Sequence, residues 1–361
     1  MNYFNTIKIN KSNLLYNLKI VKDKAQNKKI CAMVKANAYG HNLKEIVLLL
    51  KNNVEFFGVA NTEEAFLVRS LTYKTKVLLC GEFNEDKLIS LIRNNISLTV
   101  FSYLNLRKII KVSKQNNLRA NVHIKINTGM NRLGVKTKKS LKSILFLIEK
   151  NKEFVSLEGI YSHLYNAEDE NLSFKQYLKF INFLKEVKNL NCINIHFENS
   201  CGLFNNIDKF NICNMVRVGI SLYGLGLEKE NLKPVLSLNS KIIATQKIND
   251  EEEYCGYGKN VVVKNTKIGV VPIGYADGIL RSYKNSFVYV LNAPCKIINV
   301  CMDMMLIDIT NVKANVGENC EIISCNNKKL NSVNNIAKNL NTISYEVVTN
   351  LNHNRYNVVV E

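Results

Sequence analysis

The sequence predicts an α/β protein, with a TIM-like (β/α)8 barrel over residues 10–230 and a mostly antiparallel β domain over residues 231–361. Short apolar strands alternate with helical stretches from residue 10 to about residue 225, which is typical of parallel pairing and of a closed barrel. After Pro234 the pattern changes to alternating runs with glycine turns, which is typical of antiparallel strands. An open doubly wound sheet is the alternative, but no G-x-G-x-x-G motif follows the first strand.

Eight apolar runs in the N-terminal region are short and nearly uninterrupted, as expected of strands that are buried on both faces. Helical spacing lies between them, for example at Leu43, Ile46, Val47 and Leu50. Residues 1–9 form a separate short strand, for which the C-terminal domain is a candidate partner. The predicted barrel strands are Ile30–Val34, Val54–Ala60, Val77–Cys80, Leu98–Phe101, Ala120–Ile126, Val155–Tyr161, Cys192–Phe197 and Met215–Val218.

The C-terminal region contains one helical stretch, near Val333–Leu340, among runs of alternating apolar and polar residues. Such alternation indicates strands with one buried and one solvated face. The alternating runs are Val235–Ile248, Ile268–Ile273, Phe287–Leu291, Cys295–Ile309 and Cys320–Cys325.

Composition indicates a globular two-domain protein, since the chain has 361 residues, of which 47% are hydrophobic and 9% aromatic. The N-terminus lacks the basic and apolar regions of a signal peptide, and no apolar stretch is long enough to span a membrane. We therefore expect a cytoplasmic protein. The ten cysteines include no C-x-x-C pair, so we expect neither a disulfide framework nor a metal site.

The formal net charge of +19 raises the question of a nucleic-acid partner. The lysines are scattered along helix faces and loops, and they form neither a dense basic block nor an aromatic stacking platform. A solvated basic surface explains them better, and we expect no nucleic-acid partner.

Lys35 directly follows the apolar run Ile30–Val34, where a buried strand meets a loop. Burial against apolar walls disfavours the charged ammonium, so the pKa of Lys35 falls and its amine becomes a better nucleophile toward an aldehyde. The alternative is an ordinary surface lysine with a buried stem.

The carboxyl ends of barrel strands form the active-site face in enzymes of this fold, and several polar residues lie at such ends. Lys35 ends the first strand, Arg132 follows the fifth, His163 ends the sixth and Arg217 lies in the eighth. All of them point to one mouth. Barrel enzymes often build a phosphate pocket after strands seven and eight from backbone N–H groups and small hydroxyls, which here are supplied by Asn199, Ser200, Gly219 and Ile220.

The segments Val34–His41 (VKANAYGH) and Lys125–Gly134 (KINTGMNRLG) resemble the alanine racemase family, and further segments agree in order and spacing over nearly the whole chain. The resemblance implies an enzyme that uses pyridoxal 5'-phosphate (PLP), bound to Lys35, to interconvert L-alanine and D-alanine. It also implies a homodimer in which the β domain completes the partner's active site, and a role in supplying D-alanine for bacterial peptidoglycan.

The resemblance assigns roles to residues around the cofactor. Tyr39 is similar to a tyrosine that binds the cofactor phosphate, together with Asn199, Ser200, Gly219 and Ile220. Arg217 resembles the arginine that faces the pyridine nitrogen, where a permanent cation keeps that nitrogen unprotonated. Tyr257, in the segment Cys-Gly-Tyr-Gly, resembles the second catalytic base, opposite Lys35. His163 is similar to the histidine between Arg217 and Tyr257, and we expect a charged His163–Arg217 network to assist the phenol.

Arg132 resembles the arginine that contacts the substrate carboxylate, and Lys125 matches a lysine that is often carbamylated. Carbamylation would turn a repulsive Lys125–Arg132 pair into an attractive one. The family usually has Asp and Gly where this chain has Asn127 and Asn131. Because of these two departures, the sequence leaves the turn geometry around Asn127 and Asn131 open.

The C-terminal domain carries three further resemblances to residues at the mouth of the site. Tyr275, in the segment Gly-Tyr-Ala-Asp-Gly, matches a residue that narrows the mouth, and Met302 with Asp303 match residues near the substrate. His353 stands where the family usually has a phosphate-binding tyrosine. Its imidazole is still able to donate a hydrogen bond to the cofactor phosphate.

Three other functions share parts of this pattern. A racemase of broader or different specificity, such as a serine racemase, differs only in side chains at the mouth. A non-catalytic PLP carrier with the same barrel lacks both the β domain and a base opposite Lys35. A decarboxylase shares the two domains, but the Met-Asn-Arg-Leu-Gly and Gly-Tyr-Ala-Asp-Gly segments argue against it.

Overall fold

A computed structural model describes residues 4–205, 210–227, 230–250, 252–258 and 261–361 of the chain. The described residues fall into two compact units. One unit consists of Lys19–Ala38 and Leu43–Leu222, and contains the barrel. The other consists of the described residues within Met1–Leu18, Tyr39–Asn42 and Tyr223–Glu361, and contains the antiparallel sheet. Each unit is described by itself.

Strands and helices alternate along the first part of the chain. Two short 3-10 turns, Glu85–Lys87 and Leu190–Cys192, accompany them. The elements are β1 (Thr6–Ile9), α1 (Lys11–Ala25), β2 (Lys29–Met33), α2 (Lys35–Gly40), α3 (Leu43–Leu50), β3 (Phe56–Val59), α4 (Thr62–Leu71), β4 (Lys76–Leu79), α5 (Leu88–Arg93), β5 (Ile96–Val100), α6 (Tyr103–Gln115), β6 (Ala120–Lys125), α7 (Lys138–Lys150), β7 (Val155–Tyr161), α8 (Glu170–Leu184), β8 (Asn194–His196), α9 (Ser200–Asn205) and β9 (Met215–Val218).

Strands β2 to β9 form a closed parallel barrel, which confirms the predicted fold class. Each strand pairs with the next along the chain, and β9 closes the barrel against β2 with Arg217 opposite Cys31. The strands are almost wholly buried, as in β5, where all five residues are buried. This burial explains why the runs are continuous in apolarity rather than alternating.

Capping side chains start several of the outer helices. The side chains of Asn61, Ser102, Thr137 and Asp169 each accept a hydrogen bond from a backbone N–H in the first turn of α4, α6, α7 and α8. Each cap stabilises its helix by about 1 kcal/mol, since it satisfies a donor that the helix itself leaves unpaired.

Strands dominate the second unit. Its elements are β10 (Leu236–Lys241), β11 (Ala244–Lys247), β12 (Glu252–Tyr254), β13 (Val261–Val263), β14 (Lys267–Val271), β15 (Phe287–Val290), β16 (Ala293–Val300), β17 (Met305–Asp308), β18 (Asn319–Ile323), α10 (Val333–Asn339), α11 (Ser344–Thr349) and β19 (Asn357–Val360), with 3-10 turns at Tyr275–Asp277, Arg281–Tyr283 and His353–Arg355. Nine strands form one sheet with the order β11-β14-β17-β16-β15-β18-β10-β1-β19. A separate ribbon pairs β12 with β13.

Strand β1 lies inside this sheet, antiparallel to β10 and parallel to β19. The N-terminal strand therefore belongs to the same sheet as the C-terminal strands. Ile7 and Ile9 are fully buried there.

All ten cysteines are free thiols. Among the described residues, none of the helices combines the length and apolarity that a membrane crossing requires.

Candidate active site

The carboxyl ends of the barrel strands bring together the polar residues predicted for the mouth. Lys35 lies two residues after β2, Arg132 follows β6, His163 lies two residues after β7 and Ser200 follows β8. Arg217 lies within β9. The charges of Arg132 and Arg217 act on Lys35, which shows that these groups share one region of the barrel.

Lys35 begins a left-handed helical turn, where the sequence had indicated a loop. Ala36, Asn37, Ala38 and Tyr39 have φ values between 51° and 54°. Left-handed conformation costs a residue with a Cβ roughly 1–2 kcal/mol, so four in succession require strong support from their surroundings. Strain of this kind concentrates at functional sites.

Side chains from neighbouring elements support the left-handed turn. Glu64, in α4, accepts hydrogen bonds from the backbone N–H of Ala36 (2.6 Å) and of Ala60 (2.8 Å). Asn37 Oδ1 accepts from the N–H of Leu43 (2.7 Å). The backbone next to Lys35 is therefore joined to α4 through Glu64.

Gly40 ends the left-handed turn with φ +74°. A Cβ at this position would lie 1.9 Å from the carbonyl oxygen of Val348. Glycine is thus required here both by conformation and by the close backbone approach.

Lys35 is half-buried, and burial lowers the pKa of its ammonium, with the positive charges of Arg132 and Arg217 acting in the same direction. Cys80 and Glu64 act in the opposite direction but do not outweigh burial. The predicted fall in pKa is confirmed.

Lys125 lies at the end of β6 and is 7% exposed. Burial and the charges of Arg132, Arg217 and Lys35 lower its pKa to about 8, against an opposing effect of Cys80. Its Nζ lies 5.6 Å from the centre of the Tyr161 ring. The barrel mouth is therefore strongly positive, and it favours anionic ligands.

Arg217 is buried and makes hydrogen bonds with both of its terminal nitrogens. Nη1 donates to Nδ1 (2.8 Å) and O (3.1 Å) of His196. Nη2 donates to the carbonyl oxygen of Ser162 (2.6 Å) and to His163 Nδ1 (3.3 Å). The guanidinium also lies over the Tyr161 ring, with Cζ 4.9 Å from the ring centre. None of the described residues accepts a hydrogen bond from the Arg217 Nε–H group.

The expectation of a charged His163–Arg217 network needs correction at His163. Burial lowers the pKa of His163 well below its usual value, and Arg217, Lys35, Arg132 and Lys125 lower it further by repulsion. The imidazole is therefore neutral near pH 7. It accepts from Arg217 at Nδ1 and carries its hydrogen on Nε2.

Ser200 organises the region after strands β8 and β9. Its buried Oγ accepts hydrogen bonds from the N–H groups of Gly219 (3.1 Å) and Ser221 (3.3 Å) and from the Ser221 hydroxyl (2.9 Å). Asn199 Oδ1 accepts from the N–H of Gly202 (2.9 Å). Ile220, between the two donors Gly219 and Ser221 in the chain, is buried. Two backbone N–H groups and one hydroxyl thus converge on Ser200 Oγ.

Asn127 and Asn131 shape the loop that carries Arg132. Asn127 Oδ1 accepts from the N–H groups of Gly129 (3.0 Å) and Asn131 (3.2 Å). Asn131 has φ +57°, a conformation that Asn tolerates better than most residues with a Cβ. Arg132 itself is exposed.

Three segments of the sheet unit meet around the end of β16. Asn299 Nδ2 donates to the carbonyl oxygens of Cys255 (3.0 Å) and Tyr257 (2.9 Å). The N–H of Tyr275 donates to Cys301 O (3.0 Å), and that of Ala276 donates to Met302 O (2.8 Å). The segments that carry Tyr257, Tyr275 and Met302 are therefore held together. Asp303, next along the chain, is exposed.

The same unit holds Tyr39 and His353. The Tyr39 ring packs against Tyr223 and Tyr345, with ring centres 5.2 and 5.8 Å away. His353 lies beside the Gly40 backbone, and burial lowers the pKa of its imidazole. Tyr39 precedes Gly40 in the chain and His353 lies beside the Gly40 backbone, so both residues are close to Gly40.

Sequence reasoning missed several residues that shape the site. Ser221, Tyr161 and His196 each contact a predicted site residue directly. Glu64 binds the backbone N–H of Ala36, next to Lys35. For His123 a signal was present, because it lies two residues before Lys125 in a strand and so shares its face. Among the described residues, no group of three or more metal-ligating side chains is found.

The fold and this mouth define a class of protein, the two-domain barrel enzymes with a lysine at the end of the first barrel strand. Comparison with known families places the chain within that class. Residues 9–226 match the alanine racemase N-terminal domain, and residues 235–360 match the alanine racemase C-terminal domain. The chain belongs to the alanine racemase family, as its sequence motifs predict.

Individual relatives agree with this assignment. An alanine racemase from Francisella philomiragia is 35% identical, covering 96% of this chain and 98% of the relative. One from Borreliella burgdorferi is 34% identical, covering 96% and 94%. A solved alanine racemase from Clostridium difficile superposes with a TM-score of 0.93 at 29% identity, covering 100% of this chain and 96% of that chain.

Proposed function

We propose that this chain racemises alanine with PLP, by removing the Cα proton on one face and returning a proton on the other. The observation that carries the proposal is Lys35, an amine of lowered pKa on a strained turn within a cluster of cations. A solved alanine racemase from Bacillus anthracis with bound L-Ala-P, 25% identical to this chain, is consistent with an alanine-like ligand.

The residues present fit PLP. The Nε–H of Arg217 is available to donate to a ring nitrogen, and the Ser200 hydroxyl with the neighbouring backbone suits a phosphate. Asn199, Gly219 and Ile220 would complete that part of the phosphate pocket, and Tyr39 and His353 would add a hydroxyl and an imidazole donor. When bound, PLP supplies the electron sink that stabilises negative charge at Cα.

Arg217 would control the strength of that sink. A guanidinium does not give up its proton near neutral pH, so it would donate a hydrogen bond to the ring nitrogen and leave that nitrogen unprotonated. A weaker electron sink limits protonation at positions other than Cα. Arg217 would thereby favour racemisation over transamination.

Lys35 and Tyr257 would be the two bases. The lowered pKa of Lys35 provides a neutral amine that takes or returns the Cα proton on one face. Tyr257 would serve the other face through its phenol oxygen. His163 and Arg217 would support the phenol, with the positive charge residing on Arg217 because His163 is neutral.

Several further residues would contact or surround the substrate. Arg132 would pair with the alanine carboxylate, since guanidinium and carboxylate form strong charge-assisted hydrogen bonds. The Met302 N–H and Asp303 would lie near the substrate, and Tyr275 would narrow the mouth.

Lys125 is a candidate for carbamylation. Its pKa of about 8 gives it a substantial neutral fraction, and a neutral amine adds to carbon dioxide with release of one proton. The resulting carbamate anion would attract Arg132 in place of the present repulsion.

A homodimer with shared active sites is the expected assembly. Tyr257 is 71% exposed and Met302 is 57% exposed, although both are large and largely apolar. Apolar surface of this kind marks protein interfaces. We infer that residues 231–361 complete the barrel mouth of the partner subunit.

In the cell, the product D-alanine would supply peptidoglycan synthesis. A cytoplasmic location is supported by the ten free thiols, since reducing compartments keep cysteines unpaired.

The test is D-alanine formation from L-alanine by purified protein, with and without added PLP. Borohydride treatment followed by peptide mass spectrometry is expected to find the reduced cofactor on Lys35. A cofactor on another lysine would contradict the proposal.

A matched pair of tyrosine variants tests the second base. Tyr257→Phe is expected to lower racemisation by on the order of 10²–10⁴, the usual contribution of a general base. Exchange of the Cα hydrogen of one enantiomer with deuterated solvent should persist, because Lys35 remains. Tyr254→Phe, at an equally exposed position three residues earlier, should leave the rate unchanged. Wild-type racemisation by Tyr257→Phe would show that the two-base assignment is wrong.

A further inference from the structure

Four side chains form a continuous hydrogen-bonded chain through the barrel interior, from Arg217 to Glu158. Arg217 Nη1 lies 2.8 Å from His196 Nδ1, and His196 Nε2 lies 2.8 Å from His123 Nδ1. His123 Nε2 lies 3.2 Å from Glu158 Oε2. Both histidines are 0% exposed. We call these four residues the interior chain.

The chemistry of the first member fixes every proton in the interior chain. An arginine only donates, so His196 accepts at Nδ1 and carries its hydrogen on Nε2. That hydrogen is donated to His123 Nδ1, and His123 therefore carries its hydrogen on Nε2. The last hydrogen is donated to Glu158, which is left as the acceptor. Both imidazoles are neutral, because burial lowers the pKa of each.

Glu158 is held as a carboxylate at its end of the interior chain. Burial alone would raise its pKa, but hydrogen bonds from His123, Lys76 and Ser97 outweigh burial and bring the pKa to about 2. The Lys76 Nζ lies 2.5 Å from Glu158 Oε1. Lys76 is the first residue of β4, at the amino end of the barrel. Glu158 thus connects the amino end of the barrel, through His123 and His196, to Arg217, the residue proposed to face the cofactor ring nitrogen.

Tyr161 restrains the middle of the interior chain. Its ring stacks on His196, with centres 4.6 Å apart and planes 10° apart, while its hydroxyl pairs with Thr99 over 2.9 Å. Arg217 covers the same ring. The plane of His196 is therefore fixed, and the remaining freedom is the position of its hydrogen.

We propose that Glu158 is a positioning residue, which acts through His123 and His196 to hold Arg217 in the orientation needed at the cofactor ring nitrogen. Without an acceptor at position 158, His123 is free to carry its hydrogen on Nδ1, which forces His196 to carry its own on Nδ1. That hydrogen then faces the Nη1–H of Arg217, and two donors repel each other. This inference rests on the proposed function only in what it says of the cofactor.

The first test needs neither cofactor nor activity. The chain has five histidines, so selective 15N-histidine labelling gives a spectrum simple enough to assign the ring hydrogens by NMR. In the apoprotein we expect His123 and His196 neutral from pH 5 to pH 8, with hydrogen on Nε2. A hydrogen on Nδ1 of either residue would overturn the proposal, whatever the enzyme's reaction.

The second test uses two variants and a control. Glu158→Leu removes the acceptor, and we expect mixed tautomers at His196 with a kcat on the order of 10- to 100-fold lower at nearly constant KM, the range typical of outer partners of a functional group. Glu158→Gln offers a carbonyl oxygen, so it should retain the Nε2–H tautomers and most of kcat. Glu55→Gln is the control. The Glu55 carboxylate accepts from the Ile30 N–H at the amino end of β3, and this substitution should change neither the His196 tautomer nor kcat.

The results of these experiments decide whether Glu158 positions Arg217 through the two histidines. Unchanged tautomers or unchanged kcat in Glu158→Leu would overturn the proposal. A Glu158→Gln variant with intact tautomers but a kcat as low as that of Glu158→Leu would also overturn it. If Glu158→Leu does not fold, the wild-type spectrum and Glu158→Gln still decide. Absence of racemase activity in wild-type protein with intact tautomers would instead indicate failure of the proposed function.

Discussion

The backbone N–H of Ala36 donates a 2.6 Å hydrogen bond to Glu64 Oε1, which joins the left-handed turn beside Lys35 to helix α4. The second carboxylate oxygen binds the N–H of Ala60 at 2.8 Å. A single acidic side chain thus ties together the turn and the end of β3. The placement of Lys35 depends on a residue that performs no chemistry.

Removing the Glu64 carboxylate should loosen this turn. For Glu64→Ala we expect a loss of about 1.5–3 kcal/mol in the free energy of unfolding, typical of hydrogen bonds to a charged group. We also expect a lower kcat/KM, because the Lys35 amine is less well placed. Urea denaturation and racemase assays measure the two effects. Glu63→Ala, on the exposed side of the same helix turn, is the control. Equal losses in both variants would show that the Glu64 hydrogen bonds do not hold the turn.

The stability of the apoprotein should depend on pH through Lys125. Its pKa is about 8 in the folded state, below the ordinary value of 10.5, so the unfolded chain binds more protons between these two values. Stability therefore rises as pH increases from about 8 to 10.5, and the penalty of the buried charge is complete below about pH 8. Lys125→Met removes this penalty.

We expect Lys125→Met to be more stable than wild type at pH 7 by on the order of 1–3 kcal/mol. The difference should shrink toward pH 10. Urea denaturation of cofactor-free protein in carbonate-free buffer measures it, with Lys139→Met, on an exposed helix position, as the control. An equal difference in the free energy of unfolding at pH 7 and pH 10 would show that the buried charge of Lys125 does not destabilise the folded protein.

Ser200 should matter for the phosphate of the cofactor rather than for its ring. Ser200→Ala deletes an oxygen that accepts from the Gly219 and Ser221 N–H groups and removes a hydroxyl donor. We expect a Kd for PLP raised about 5- to 150-fold, from a loss of about 1–3 kcal/mol. Affinity for pyridoxal, which has no phosphate, should change much less. Equal weakening of both ligands in fluorescence titrations would argue against a phosphate role.

Asn131 should tolerate glycine but not valine. Its φ of +57° is easily adopted by glycine and strongly disfavoured for a β-branched side chain. We expect Asn131→Gly to retain the melting temperature and the KM for alanine. Asn131→Val should lose about 1–3 kcal/mol and raise KM, since Arg132 is displaced. A raised KM in Asn131→Gly would show that the Asn side chain itself is needed.

The barrel could be predicted because its strands are buried on both faces and so form continuous apolar runs. Seven of the eight predicted runs overlap observed strands over most of their length, and the eighth, Cys192–Phe197, shortens to Asn194–His196. The end of the first strand was less predictable. Lys35 was expected beside a loop. The left-handed turn there depends on a contact between Ala36 and Glu64, which are 28 residues apart in the chain.

The amino-acid sequence by itself determined the order of the elements, the two kinds of sheet and the chemical types at the strand ends, because these follow from local periodicity and residue identity. Only the tertiary structure decided the charge of His163 and the proton arrangement from Arg217 to Glu158. Burial and the fields of distant residues set protonation, and neither quantity is a property of the neighbouring residues in the chain.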